Sequence, residues 1–153
     1  MNTRSILFLL LLMNSLYSQG QQHLSIELGG IGGLGSINWE TSIHQREYFT
    51  LTFRTGFSFI PIDRNNGSAL VFPQLIHGIY GKELHFVDLG IGLAPSITTT
   101  LGGAYVRMPA SIGYRLQPKD KPYYFRIAYT PLVSFLLDLQ WEHWAGITYG
   151  IRL

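Results

Sequence analysis

The sequence predicts an all-β protein: an up-and-down antiparallel transmembrane β-barrel of about eight strands, after a cleaved signal peptide. Three observations carry this. Apolar residues recur at every second position through most of the chain, the signature of strands rather than helices. The apolar set is too bulky to fit inside one small barrel. A short apolar run behind a lone arginine opens the chain. Composition agrees: 46% hydrophobic, 14% aromatic and only 13% charged, with 17 Gly and no Cys in 153 residues. Ordinary soluble domains carry about 25% charged residues. These values exclude a disordered tail, a disulfide-stapled mini-protein and a thiolate metal site. A net charge of +2 argues against a nucleic-acid binder, which needs a basic face.

Residues 1–20 read as a signal peptide. Arg4 is followed by the apolar run Ile6–Met13, then by a polar, small-residue stretch from Asn14 to Gly20. The run is too short for a membrane-spanning helix, which needs about 20 apolar residues. Ser18 and Gly20 suit cleavage before Gln21, with a cut after Ser18 as the near alternative. No Cys follows, which excludes a lipoprotein anchor. Residues 21–153 form the barrel domain.

Strands are expected at 24–30, 34–43, 48–60, 69–80, 84–95, 104–117, 122–131 and 138–153. In the clearest, Phe49, Leu51, Phe53, Phe57 and Phe59 share one face, and Thr50, Thr52, Arg54, Gly56 and Ser58 the other. Tyr123, Phe125, Ile127 and Tyr129 likewise oppose Tyr124, Arg126, Ala128 and Thr130. Segment 69–80 is noisier, and Pro73 points to a bulge there. The Gly-Gly-Ile-Gly-Gly-Leu-Gly run at 29–35 reads as bent or bulged strand, and it leaves the count open between seven and eight. It lacks the Lys-Ser/Thr of a phosphate loop. Three connections are short and charged: 44–47, 81–83 and 118–122. An even count gathers them with both chain ends on one side, as outer-membrane barrels do with their periplasmic turns. Eight strands satisfy this and seven do not.

Volume decides which face points inward. The interior of an eight-stranded barrel is just filled by side chains or holds one small ligand. The Gly, Ser, Thr and Ala parity fits there; the Phe, Tyr, Trp, Leu and Ile parity does not. The apolar face therefore points outward, and an outward apolar band requires lipid. The inner parity carries Glu27, Glu40, Asp88, Asp138 and Glu142 against Arg54, Arg107, Arg115, Arg126 and Arg152. Paired interior charges are tolerable where lone ones are costly. The expectation is a lumen charge network in which Glu27, Glu40, Asp88 and Glu142 meet Arg54, Arg107, Arg115 and Arg126. Which carboxylate meets which guanidinium is open. The three lysines, Lys82, Lys119 and Lys121, all fall in the short turns.

Several segments then resemble the small outer-membrane β-barrel proteins of Bacteroidetes-type bacteria. They are the signal peptide ending in Ser18-Gln19, Ile26–Gly30, Ser36–Glu40, Asp88–Gly92, Ser111–Arg115 and Phe125–Leu132. The resemblance spans nearly the whole mature chain. It implies an outer-membrane location in a two-membrane bacterium, outer-membrane lipid as surroundings and the barrel-assembly machinery as partner during biogenesis. It supplies no catalytic residue. Such barrels usually end in an aromatic residue, whereas this chain ends in Leu153.

No catalytic, cofactor-binding or metal site is expected. Lipid A deacylases carry a His-X-Ser-Asn motif, but His143-Trp144-Ala145-Gly146 lacks both Ser and Asn. His23, His44, His77, His85 and His143 never stand two apart, the spacing that would place two ligands on one strand face. Two readings remain: a structural or interaction barrel without catalysis, and a barrel that binds or transports a small solute.

Overall fold

A computed structural model describes residues 20–63, 67–99, 103–134 and 140–153. Apart from Gly20, the expected signal peptide lies outside the described residues, as does Asp138. The strand segments are β1 (Gln22–Gly29), β2 (Gly35–Gln45), β3 (Phe49–Asp63), β4 (Gly67–Val71), β5 (Gln74–Lys82), β6 (His85–Thr98), β7 (Ala104–Leu116), β8 (Tyr123–Tyr129), β9 (Leu132–Ser134), β10 (Gln140–Glu142) and β11 (Ala145–Arg152). All pairings are antiparallel. β1 pairs with β2 on one side and with β11 on the other, which closes the sheet into a barrel.

Three pairs of segments are single staves, so the barrel has eight. Val71 opposes Ser58 and Gln74 opposes Thr55, so the register runs unbroken from β4 into β5. The bulge expected at Pro73 is therefore absent. Pro73 only removes a donor: its carbonyl accepts from the Gly56 N–H at 2.9 Å, with no N–H to return the bond. On the other edge Phe72 donates to Pro95 at 2.9 Å, and Pro95 likewise has nothing to return. The register shifts fall instead at Ser42/His44 and Pro61/Asp63. Pro131 separates β8 from β9 in the same way, its carbonyl accepting from Ala110 at 3.0 Å. The staves β8–β9 and β10–β11 also hold one register throughout: Leu132 opposes Glu142, and Tyr129 opposes Ala145.

The glycine-rich run is neither bent nor bulged strand. It ends β1, forms a 3-10 turn at Gly30–Gly32 and starts β2, which settles the count at eight. Gly29, Gly30 and Gly33 have φ near +75° (73°, 75° and 77°), a region open to glycine at little cost. The turn tucks into the barrel mouth. Ile31 is buried with Ala69, Val71, Leu75, Ala94 and Leu132, and Ile60 and Trp144 pack against this cluster. The loop end of the barrel thus carries an apolar cap. The short turns after β2, β5 and β7 lie at the opposite end with both chain ends, where His23 pairs with Arg152.

Side-chain polarity is inverted relative to a soluble domain. Glu27 is 2% exposed and its neighbour Ile26 55%; Arg126 is 1% exposed and Ile127 62%. Leu89, Tyr114 and Ile147 are exposed on the outer wall, whereas Asp88, Arg115 and Thr148 are fully buried. Aromatic groups gather towards both ends of this apolar wall. Tyr123, Phe125 and Tyr149 pack together near the turns, with ring centroids 5.0–6.4 Å apart. Trp141, His143 and Tyr129 do so nearer the loops.

An outward wall of this kind cannot tolerate a charge. Phe53→Arg should reduce refolding into phosphatidylcholine vesicles, since a charge near the bilayer midplane costs about 2–4 kcal/mol. Asp120→Arg in a solvated turn should refold normally. Heat-modifiable gel mobility reads both; equal yields would mean the outer wall is not the lipid face.

Candidate functional site

The lumen holds a buried inward polar group from each of the eight staves. Glu27 comes from β1, Glu40 from β2, Arg54 from β3, His77 from β5, Asp88 from β6, Arg115 from β7, Arg126 from β8 and Thr148 from β11, all at most 2% exposed. Small inward neighbours such as Ser25, Ser36, Ser111 and Ala128 leave room for these long side chains. Gly90 makes space for one of them: a Cβ there would lie 2.7 Å from the His77 ring.

The charges form one chain of alternating sign. Arg54 Nη2 lies 3.2 Å from Glu27 Oε2, and Arg126 Nη1 lies 3.4 Å from Glu27 Oε1. Arg126 then forks onto Asp88, with Nε 3.1 Å from Oδ2 and Nη2 donating to Oδ1 at 3.3 Å. Arg115 Nη1 is 3.8 Å from Asp88, and its Nη2 donates to Glu40 Oε1 at 2.8 Å. The order is Arg54, Glu27, Arg126, Asp88, Arg115, Glu40: three cations and three anions, with none left single. Forked contacts of this kind need a planar guanidinium and are closed to lysine.

Neutral groups take up some of the remaining valences. Thr148 donates to Glu27 Oε1 at 3.2 Å, and Ser36 donates to Glu27 Oε2 at 3.4 Å. Arg126 donates to Ser111 Oγ. Arg115 lies over the face of Tyr124, 3.6 Å from the ring centroid, a cation–π contact inside the barrel. His77 Nδ1 sits 2.7 Å from Asp88 Oδ1.

Six of the eight residues expected in the lumen therefore meet in this chain. Arg107 and Glu142 do not join it. They pair with each other at 3.5 Å, half-exposed, from β7 and β10. Both are inward by parity but stand at the loop end, opposite Ala94 and Leu132 of the apolar cap, where solvent reaches. Arg152, also of the inner parity, is exposed at the turn end. His77, His23 and Tyr124 were not expected as lumen partners. Parity could have found Tyr124, but His77 lies in the noisy segment, where the inward residues Leu75 and Ile79 are apolar. Among the described residues no group of three or more His, Cys, Asp or Glu is placed to hold a metal.

A cavity of about 340 Å³ opens at the turn end and reaches inward to His23, Glu40, Thr52 and Arg115. The lumen is thus filled by charges at its middle, capped by apolar groups at the loop end, and hollow at the turn end.

No protein-family model matches the chain, and no curated protein matches it significantly. Solved structures do. The chain is similar to the N-terminal β-barrel domain of Pseudomonas aeruginosa OprF, with TM-score 0.57 and 14% identity over 88% of this chain and 100% of that one. It is also similar to the Yersinia pestis outer membrane protein Ail in a phospholipid bilayer nanodisc, with TM-score 0.55 and 12% identity over 88% and 100%. The crystal structure of Ail matches at TM-score 0.52 and 13% identity, over 89% and 100%. The fold is that of the small eight-stranded outer-membrane barrels.

Breaking the charge chain should be costly. Arg126→Ala leaves both Glu27 and Asp88 short of a partner, and a broken buried pair costs about 3–5 kcal/mol. Arg107→Ala should cost less, because its pair is half-solvated, and Lys119→Ala should change stability little. Urea unfolding in lipid vesicles gives the order; equal midpoints for the Arg126 and Lys119 variants would mean that the lumen arginines are solvated.

Proposed function

We propose that the chain is an integral outer-membrane protein of a two-membrane bacterium, exported by its signal peptide at 1–20. Its role is structural or interactive rather than catalytic, and it belongs with the Bacteroidetes-type small barrels that its motifs resemble. The apolar outer wall with aromatic groups towards both ends supports lipid as its surroundings, and the barrel-assembly machinery as its partner in biogenesis. The three short turns and the chain ends then face the periplasm, and the loops face outward. One observation carries the role: the Arg54–Glu27–Arg126–Asp88–Arg115–Glu40 chain crosses the lumen with its charges mutually neutralised.

A transported ion would have to break these contacts, and the Ile31 cluster adds a second barrier in series. The barrel is therefore a blind vessel. A binding role is the second reading, favoured by the turn-end cavity. Purified barrel in planar bilayers should show no steady conductance. Steps on the nanosiemens scale would make it a pore instead, and recovery of the mature protein in a carbonate-washable fraction would remove it from the membrane altogether.

A further inference from the structure

The turn-end vestibule has a floor and a rim of different character. At the floor, Thr52 Oγ1 and Arg115 Nε are buried without hydrogen-bond partners, and so is His23 Nδ1. A fully buried guanidinium that keeps an N–H unpaired next to an open cavity offers a charge-assisted donor to an occupant. At the rim stand four cations, Arg46, Lys82, Lys119 and Arg152. Only two carboxylates, Glu47 and Glu83, stand with them, since the third acid lining the cavity, Glu40, is bound to Arg115 at 2.8 Å. The rim therefore keeps an excess of positive charge over the mouth of a low-dielectric tube, which concentrates anions there. At about 340 Å³ the space is at the lower end of small-molecule sites and far too small for a folded partner.

We propose that this vestibule binds a small phosphate-bearing anion, which enters from the turn end with its charge facing the Lys82 and Arg152 rim and its inner end towards Arg115 and Thr52. A closed lumen floor, as proposed above, makes the vestibule a dead end, so the anion is held there rather than passed through. The phosphate group could belong to a soluble molecule or to a lipid headgroup reaching over the barrel edge.

The test is calorimetric titration of the mature barrel in phosphatidylcholine nanodiscs with sodium pyrophosphate, against sodium chloride at matched ionic strength. Saturable pyrophosphate binding is expected, with Kd below about 1 mM. Lys82→Gln combined with Arg152→Gln should weaken it by about tenfold or more, while Arg107→Gln, at the opposite end, leaves it unchanged. Nanodiscs containing phosphatidylglycerol assign the source. Weaker apparent pyrophosphate binding there means that headgroups occupy the site; unchanged binding means a soluble anion. Absence of saturation, or equal weakening by Arg107→Gln, overturns the proposal. Conductance of the same purified barrel in planar bilayers separates this site from the blind lumen: a barrel that binds and also conducts keeps the first and loses the second.

Discussion

The rest of the structure depends on one constraint. A closed eight-stave barrel has an interior that its side chains just fill, and its apolar residues are on the outside. Whatever lies inside must neutralise itself without water. Here the solution is a row of guanidinium and carboxylate groups in alternation, each buried to 2% exposure or less. Arg126 is its hinge, because it touches both Glu27 and Asp88 and so joins the two halves of the row. The outer wall answers the complementary demand. Every backbone polar group must be satisfied without water there too, and closure of β1 on β11 leaves no free edge to the lipid.

Much of this was legible from alternation alone. The strand order, the inward parity, the clustering of the short turns with the chain ends and the identity of six lumen charges all follow from reading every second residue. What stayed hidden has physical causes. Pro73 suggested an extra residue in the ladder, but a missing donor removes only one bond of its pair with Gly56, and the carbonyl of Pro73 still accepts from Gly56, so the register needs no insertion. Ile31 was hidden because glycines at positive φ let the chain fold back into the barrel mouth, a move that parity does not encode. Arg107 and Glu142 share the inner parity with the rest, yet parity says nothing of depth, and they end half-exposed. The partner choice was equally invisible: Glu40 stands opposite Arg54 in the β2–β3 register, but Arg54 reaches Glu27 and Glu40 is met by Arg115 from β7.

The two ends of the lumen differ because the residues that line them differ in character. At the loop end the inward positions are apolar or small, and a single turn lowers Ile31 onto Ala69, Val71, Leu75, Ala94 and Leu132. At the turn end the connections are tied to the strand ends and to one another: the Arg46 N–H donates to the Phe49 carbonyl at 2.7 Å, and that of Gln117 to the Leu84 carbonyl at 2.9 Å. Their charged side chains stand around an opening that nothing on the chain covers among the described residues. The asymmetry comes from the apolar inward residues that the staves carry at the loop end and from the glycines that let one turn fold onto them.

The charge row also does what alternation cannot. Slipping one stave by a single residue turns all its side chains to the opposite face, so apolar groups would enter the lumen and arginines the lipid, at about 2–4 kcal/mol for each charge at mid-depth. A slip of two residues escapes this penalty, because the pattern repeats with period two. It still moves a side chain about 7 Å along the strand, well beyond the 2.8–3.4 Å contacts that Arg115, Arg54 and Arg126 make with Glu40 and Glu27. These contacts join residues 27, 75 and 99 positions apart in sequence (Glu27 with Arg54, Glu40 with Arg115, Glu27 with Arg126). They form only when distant staves have taken their final register around a closed barrel. Alternation therefore selects the face, and the charge row selects the register among those that alternation leaves equivalent. A lumen packed with Ser, Thr and Gly alone would satisfy the first requirement and leave the second open.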